Sequence, residues 1–233
     1  TEVNRKIIEL LGAEIVIASK SDENGNYVQN RIQIVKDYIA EHKNTYWTNQ
    51  YENEYVRKAY VSLGEELCNE LKRIDYVFVA VSTCGTLAGI SQKIKEQYPD
   101  SKIIAVDIAG SQIFERSKRK KHISGIGTGF VPQNLTYAQY DDYMIIEEMD
   151  AISECNNLLA KGIVVGASSG AVAHAIQNYM GYSDDLDTRK VVGIFPDRGE
   201  RYLDTIYDKE WCSNIDIDTG VLGCGLSNKT VLK

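Results

Sequence analysis

Apolar residues recur along this chain in two alternating rhythms. Short, nearly continuous runs rich in β-branched and aromatic residues occur at 13–18, 45–51, 76–82, 102–108, 142–148, 162–167 and 190–196. Runs of this kind predict strands buried on both faces of a parallel sheet. Between them, apolar positions fall at helical spacing over 2–11, 28–42, 54–73, 86–97, 151–161 and 170–180, a stripe on one side of each segment. Gly12 follows the first of these, where a helix C-terminus favours glycine. The alternation predicts an α/β fold with a doubly wound, mostly parallel sheet. No repeat or low-complexity linker interrupts it. Residues from Ser213 onward show little periodicity and are expected to form a surface tail.

Composition narrows the class. At 233 residues the chain is long enough for one large domain, or one domain with part of another. The net charge of -7 argues against a nucleic-acid surface, which selects for clustered Lys and Arg. One basic run, Ser117-Lys118-Arg119-Lys120-Lys121-His122, stands out; it reads as a solvated loop or as a local attraction for an anionic substrate. Cys68, Cys84, Cys155, Cys212 and Cys224 show no paired or His-linked spacing, so neither a zinc motif nor a disulfide framework is expected. With no secretory signal and no long apolar span, a cytoplasmic protein without membrane contact is expected. The chain opens at Thr1, inside a helical pattern, which suggests a trimmed or partial sequence.

In doubly wound folds ligands sit beyond the carboxyl ends of the strands, and three such loops carry unusual residues. The run 76–82 leads into Ser82-Thr83-Cys84-Gly85-Thr86 and then a helix. The first turn of a helix presents unpaired N–H groups and partial positive charge, which suits a phosphate dianion. Gly85 permits close approach, and three hydroxyls can donate. No Gly-Lys-Ser/Thr follows, so this is not the ATP-type loop, and Ile90 stands where a phosphatase loop would need Arg. Without a ligand, the same residues read as a helix-capping cluster.

The second loop, Gly166-Ala167-Ser168-Ser169-Gly170, satisfies the nucleophile-elbow pattern of hydrolases. That chemistry needs a later histidine, and only His174 follows, in the same predicted helix. Ser168 is better suited to capping the helix or to hydrogen-bonding a heteroaromatic nitrogen. In the third loop a strand ends at Pro196, and Asp197 takes a natural N-cap place. Between the strands at 102–108 and 142–148, Gly125, Gly127 and Gly129 alternate. They imply a backbone lying close to something, without the spacing of a dinucleotide fingerprint.

Taken in order, these segments resemble the cysteine synthase family of pyridoxal 5'-phosphate (PLP) enzymes, fold type II. The residues that carry the likeness are Ser82-Thr-Cys-Gly-Thr86, Gly125-Ile-Gly-Thr-Gly-Phe-Val-Pro132, Gly166-Ala-Ser-Ser-Gly170 and Pro196-Asp-Arg-Gly-Glu-Arg-Tyr-Leu203. It extends over nearly the whole chain, from Arg5 onward. The resemblance implies PLP as cofactor, with Ser82, Thr83, Cys84, Gly85 and Thr86 at its phosphate, Ser168 at its ring nitrogen, and Pro196 and Asp197 nearby. It also implies Gly125, Ile126 and Gly127 beside an amino-acid substrate and, as a further expectation, a homodimer. Tyr60 is expected either to contact the incoming nucleophile or simply to pack its helix.

Two departures shape the expectation. Ser82 and Cys84 replace glycines of the family's loop. The family's Schiff-base lysine and its carboxylate-holding Ser-Gly-Asn loop belong to an N-terminal third not found here, so no catalytic residue is assigned. Residues 1–52 are then read as a remnant of the smaller domain and 53–233 as the large domain. The implied reaction is β-replacement or β-elimination on a β-substituted alanine, by way of an aminoacrylate. The 233 residues alone are expected to be inert. Trp47–Glu54 and the Asp197–Asp204 stretch lean toward the branch making 2,3-diaminopropionate precursors. A sulfide-releasing cysteine lyase, and a non-catalytic binding or regulatory protein of the same fold, stay open.

Overall fold

Four strands, β1 (Tyr76–Ala80), β2 (Lys102–Ile108), β3 (Asp142–Ile146) and β4 (Val191–Gly193), pair in parallel in the order β3-β2-β1-β4. This computed structural model describes residues 2–21, 27–115, 119–181 and 188–219. Tyr76 lies opposite both Lys102 and Val191, and Ile104 opposite Asp142. The continuous apolar runs are explained by two buried faces. Phe78, Ile104, Val106 and Ile108 turn toward α5 (Glu148–Leu159) and α6 (Ala167–Met180), whereas Val77, Val79, Ile103 and Ala105 turn toward α4 (Gly85–Gln97). Each large apolar side chain removed from water in this way contributes about 1.5–3 kcal/mol.

Outside α4 lies α3 (Glu54–Glu70), and the two helices approach at backbone distance. A Cβ added at Gly64 would stand 2.7 Å from Lys93 Cβ, and one at Gly89 would stand 2.4 Å from the Arg57 carbonyl oxygen. α1 (Glu2–Leu10) and α2 (Val28–Glu41) form where their periodicity predicts but bury no residue. No helix among the described residues is long and apolar enough to cross a membrane.

Several expectations need correction. The runs 13–18 and 45–51 are not strands; Val16 and Ile17 remain 64% and 63% exposed. A strand requires a neighbouring edge to take its N–H and C=O groups, and among the described residues these runs have none. The run 162–167 makes only an isolated antiparallel bridge, Val165 to Arg198. Of the surface tail expected from Ser213 onward, residues 220–233 lie outside the described residues, and residues 213–219 instead complete a helix, α7 (Lys209–Thr219), which buries Cys212 and Ile215 in the core. Its start is fixed by Asp208, whose carboxylate accepts the Trp211 N–H at 2.7 Å.

Candidate active site

The strand order places β2 and β3 on one side of β1 and β4 on the other, so the winding reverses between β1 and β4. A crevice opens at such a switch point, beyond the carboxyl ends of the strands. Here it is a cavity of about 350 Å³, floored by Val79 and Ala80 of β1 and by Ile194 and Pro196 just after β4. That volume falls within the range of small-molecule sites, about 300–1,000 Å³.

Two helices begin at this cavity. α4 starts after Cys84, which adopts a left-handed conformation (φ 60°, ψ 6°) and offers no side-chain cap. The first-turn N–H groups of α4 therefore keep donor capacity and partial positive charge at the cavity's edge. Ser82, Thr83, Cys84 and Thr86 line this edge. The Ser82 hydroxyl also donates to the Gly127 carbonyl at 3.3 Å. α6 starts at Ala167 with Gly166 as its N-cap residue, again without a side-chain cap, so Ser168 sits in its first turn. Ser168 is 4% exposed and lines the same cavity. Thr86 and Ser168, 82 positions apart in sequence, thus face one space.

Of the remaining expected residues, Gly125 and Tyr60 also line the cavity, Tyr60 from α3 together with Val56. Gly85 does not line it; a Cβ there would stand 2.4 Å from Val56 Cγ1, so its role is close packing of α4 on α3. Ile126 points away, wholly buried in the core. Gly127 (φ +69°) takes a left-handed turn in which its N–H donates to the Val81 carbonyl at 2.7 Å, a conformation that costs glycine little. Asp197 is not an N-cap: the 3₁₀ turn Gly199–Tyr202 follows Arg198 without a side-chain cap. Its carboxylate lies beneath Gly166 instead, accepting the Tyr202 hydroxyl at 2.5 Å, while Oδ1 is buried without a hydrogen-bond partner.

A second cavity, about 560 Å³, adjoins the first and shares Ser82 and Gly125 with it. It is lined by Arg31 of α2, by Arg119, Lys120 and Lys121, and by the glycine loop; among the described residues no acidic one lines it. Of the basic run, Ser117 and Lys118 lie outside the described residues. Arg119 pairs with Glu147 at 2.8 Å, and Lys121 Nζ donates to the Ile123 and Ile126 carbonyls at 2.8 and 2.7 Å. Burial pushes the Lys121 ammonium's pKa down, against the pull of Glu148 and Asp107.

Sequence reasoning missed the residues that hold these loops. Glu148, 4% exposed, accepts the His122 and Ile123 N–H groups at 2.7 Å and His122 Nδ1 at 2.9 Å. Asp107, at the end of β2, accepts the Ile108 N–H at 2.9 Å. Burial raises its pKa to about 6, with the Ile108 N–H and the Ser111 hydroxyl acting in the opposite sense. Cys84 is no nucleophile: burial, with the charge of Asp107, pushes its thiol to about 12. His174 contacts Asn178 on its own helix at 2.8 Å and lines neither cavity, so Ser168 has no base of the hydrolase kind.

The geometry fits a ligand with a dianionic head and a flat heteroaromatic body. One end offers a helix N-terminus and hydroxyls; the other offers a single neutral hydroxyl, Ser168, on an otherwise apolar wall with Pro196. Among the described residues no Asp, Glu, His or Lys lines the first cavity.

Comparison with known proteins agrees. A family profile described as pyridoxal-phosphate dependent enzyme matches residues 1–197. Two curated relatives carry the name N-(2-amino-2-carboxyethyl)-L-glutamate synthase. That of Cupriavidus metallidurans is 34% identical over 217 residues, and that of Ralstonia nicotianae 36% identical; each alignment covers 91% of this chain and 63% of the relative. The chain therefore spans less than two thirds of the length of these relatives. Among solved structures, the O-acetylserine-dependent cystathionine beta-synthase from Helicobacter pylori superposes with TM-score 0.78 at 28% identity, covering 88% of this chain and 66% of that one. The hydrogen sulfide-producing enzyme from Fusobacterium nucleatum gives TM-score 0.75 at 28% identity, covering 90% and 64%.

Proposed function

Because this chain belongs to the pyridoxal-phosphate dependent enzyme family, we propose that the whole protein exchanges the β-substituent of a β-substituted L-alanine for an incoming nucleophile. The observation that carries the reading is the single cavity shared by the α4 N-terminus and Ser168.

When bound, PLP supplies an electron-accepting ring that acidifies the Cα–H of an attached amino acid. The chain's own residues hold and orient it. The first turn of α4, with Thr83, Thr86 and Ser82, would hold the phosphate dianion. Ser168 would offer the ring nitrogen a neutral hydroxyl rather than a carboxylate. Gly125 places backbone at the junction of the two cavities, where the amino acid would lie. Among the described residues no Asp, Glu, His or Lys lines the first cavity as a base for the Cα proton; the resemblance assigns that role to a lysine whose motif these 233 residues do not contain.

The second cavity bears on the nucleophile. Its lining by Arg31, Arg119, Lys120 and Lys121 suits a partner carrying carboxylates. We therefore favour an amino acid that attacks through its amine, as the names of the two curated relatives describe for those proteins. Incubating the full-length protein with PLP, O-phosphoserine or O-acetylserine, and glutamate should give a product whose mass joins the alanyl unit to the nitrogen. A protein that stays colourless with PLP and forms no such adduct refutes the reading. The likeness to the hydrogen sulfide-producing enzyme favours one alternative, elimination from cysteine; sulfide release in the absence of any nucleophile distinguishes it.

A further inference from the structure

We propose that Asn134 is a positioning residue that couples the phosphate loop of the cofactor cavity to the Gln50 segment of its rim by tying both to one amide, an inference that rests on the reading of this cavity as the PLP site. Asn134 is wholly buried in the 3₁₀ turn Gln133–Tyr137. Its Nδ2 donates to the Thr83 carbonyl at 3.1 Å and to the Gln50 carbonyl at 3.0 Å, and its Oδ1 accepts from Arg57 Nη1 at 3.0 Å. Its backbone N–H reaches the Tyr51 carbonyl at 3.3 Å. Thr83 lies in the loop assigned to the phosphate, and Gln50 lines the same cavity.

The chemistry of the partners leaves no freedom in the amide. Two carbonyl oxygens require both hydrogens of an NH₂, and a guanidinium requires an acceptor. Asp would keep the Arg57 contact and lose both donors. Leu would keep the volume and lose everything. The turn itself rests on a firm base: the Gln139 N–H donates to the Ser91 hydroxyl of α4 at 3.0 Å, and the Arg57 guanidinium lies 3.7 Å from the centre of the Tyr137 ring. Drawing the Thr83 carbonyl toward Asn134 also commits that carbonyl elsewhere, leaving the donors of the α4 first turn as the groups offered to an anion.

An occupied phosphate loop should therefore order the Gln50 rim through Asn134. In the full-length protein, hydrogen exchange read with and without PLP should show added protection at the amides of 82–86 and of 48–53. In Asn134→Leu and Asn134→Asp the added protection at 48–53 should vanish. PLP affinity should fall roughly tenfold while affinity for pyridoxal, which lacks the phosphate, changes less than about twofold. Asn134→Asp, which retains the Arg57 contact, carries the test if Asn134→Leu does not fold. Unchanged protection at 48–53 in the variants, or equal losses for PLP and pyridoxal, overturns the inference alone. Failure of the wild-type protein to bind PLP overturns the proposed function and this inference with it.

Discussion

Gly170→Ala should lower stability at a place where helix propensity alone predicts a gain. In the interior of a helix, Gly→Ala is worth up to about 1 kcal/mol of stabilisation. Gly170 lies near the start of α6, and the new methyl would meet the Ala151 carbonyl oxygen at 2.2 Å and Cys155 Sγ at 2.5 Å. The nearer atom belongs to the backbone of α5, so no rotamer change relieves it and the helices must part by roughly an ångström. Overpacking of this kind costs about 1–3 kcal/mol, and a rigid backbone obstacle belongs at the upper end. The net expectation is a loss of about 2 kcal/mol, or roughly 4–8 °C in Tm for a protein of this size. Ser168 lies two residues upstream, so PLP affinity should fall as well. Adding Cys155→Ala should not rescue the variant, because the Ala151 carbonyl remains. Chemical denaturation and calorimetry measure the effect. A Gly170→Ala protein as stable as wild type refutes the backbone-contact reasoning.

Three further outcomes are expected. Thr86→Val, which keeps shape and removes the hydroxyl, should weaken PLP roughly tenfold, as loss of a hydrogen bond to a charged group does, with pyridoxal affinity and Tm unchanged. Asp107→Asn should remove a pH slope. The folded pKa of about 6 exceeds the ordinary carboxylate value of 3.8, so the folded state binds more protons and stability falls as pH rises through that window. A difference of that size corresponds to about 3 kcal/mol. Urea titrations at pH 4, 5, 6 and 7 should show this decline in wild type and not in the variant. Alkylation of the native protein at pH 8 should label Cys68 before Cys84, Cys155 or Cys212, since burial holds Cys84 and Cys155 near 12 and all three are enclosed; peptide mapping that finds Cys84 labelled first would contradict the buried loop.

What the sequence revealed, and what it hid, follows from how local each signal is. The central strands were legible because Tyr76–Ala80 and Lys102–Ile108 are apolar on both faces, which only a covered sheet can satisfy. The same pattern at 13–18 and 45–51 misled, since an apolar run does not say whether another edge will pair with it. α7 escaped notice because its buried contacts are few: Cys212 and Ile215 make a short stripe among polar residues. That Ser82–Thr86 and Ser168 stand at strand-end turns was legible from turn chemistry, a property of five consecutive residues, and the structure brings them to one cavity. Asn134 was not, because its three side-chain partners lie 84, 77 and 51 positions away, and nothing around it marks it as anything but a turn residue. Asp197 was assigned a capping role that its neighbours permitted, but Tyr202 captured its carboxylate.

The near-contact of α3 with α4 through Gly64 and Gly89 decides which parts of the pocket can diversify. Val56 and Tyr60 ride on a helix that cannot slide against α4 without forcing side-chain-free surfaces apart. Room for a bulkier ligand must therefore come from shorter side chains at Val56 or Tyr60, from the segment around Gln50 or from the loop around Gly125, and not from displacement of α3.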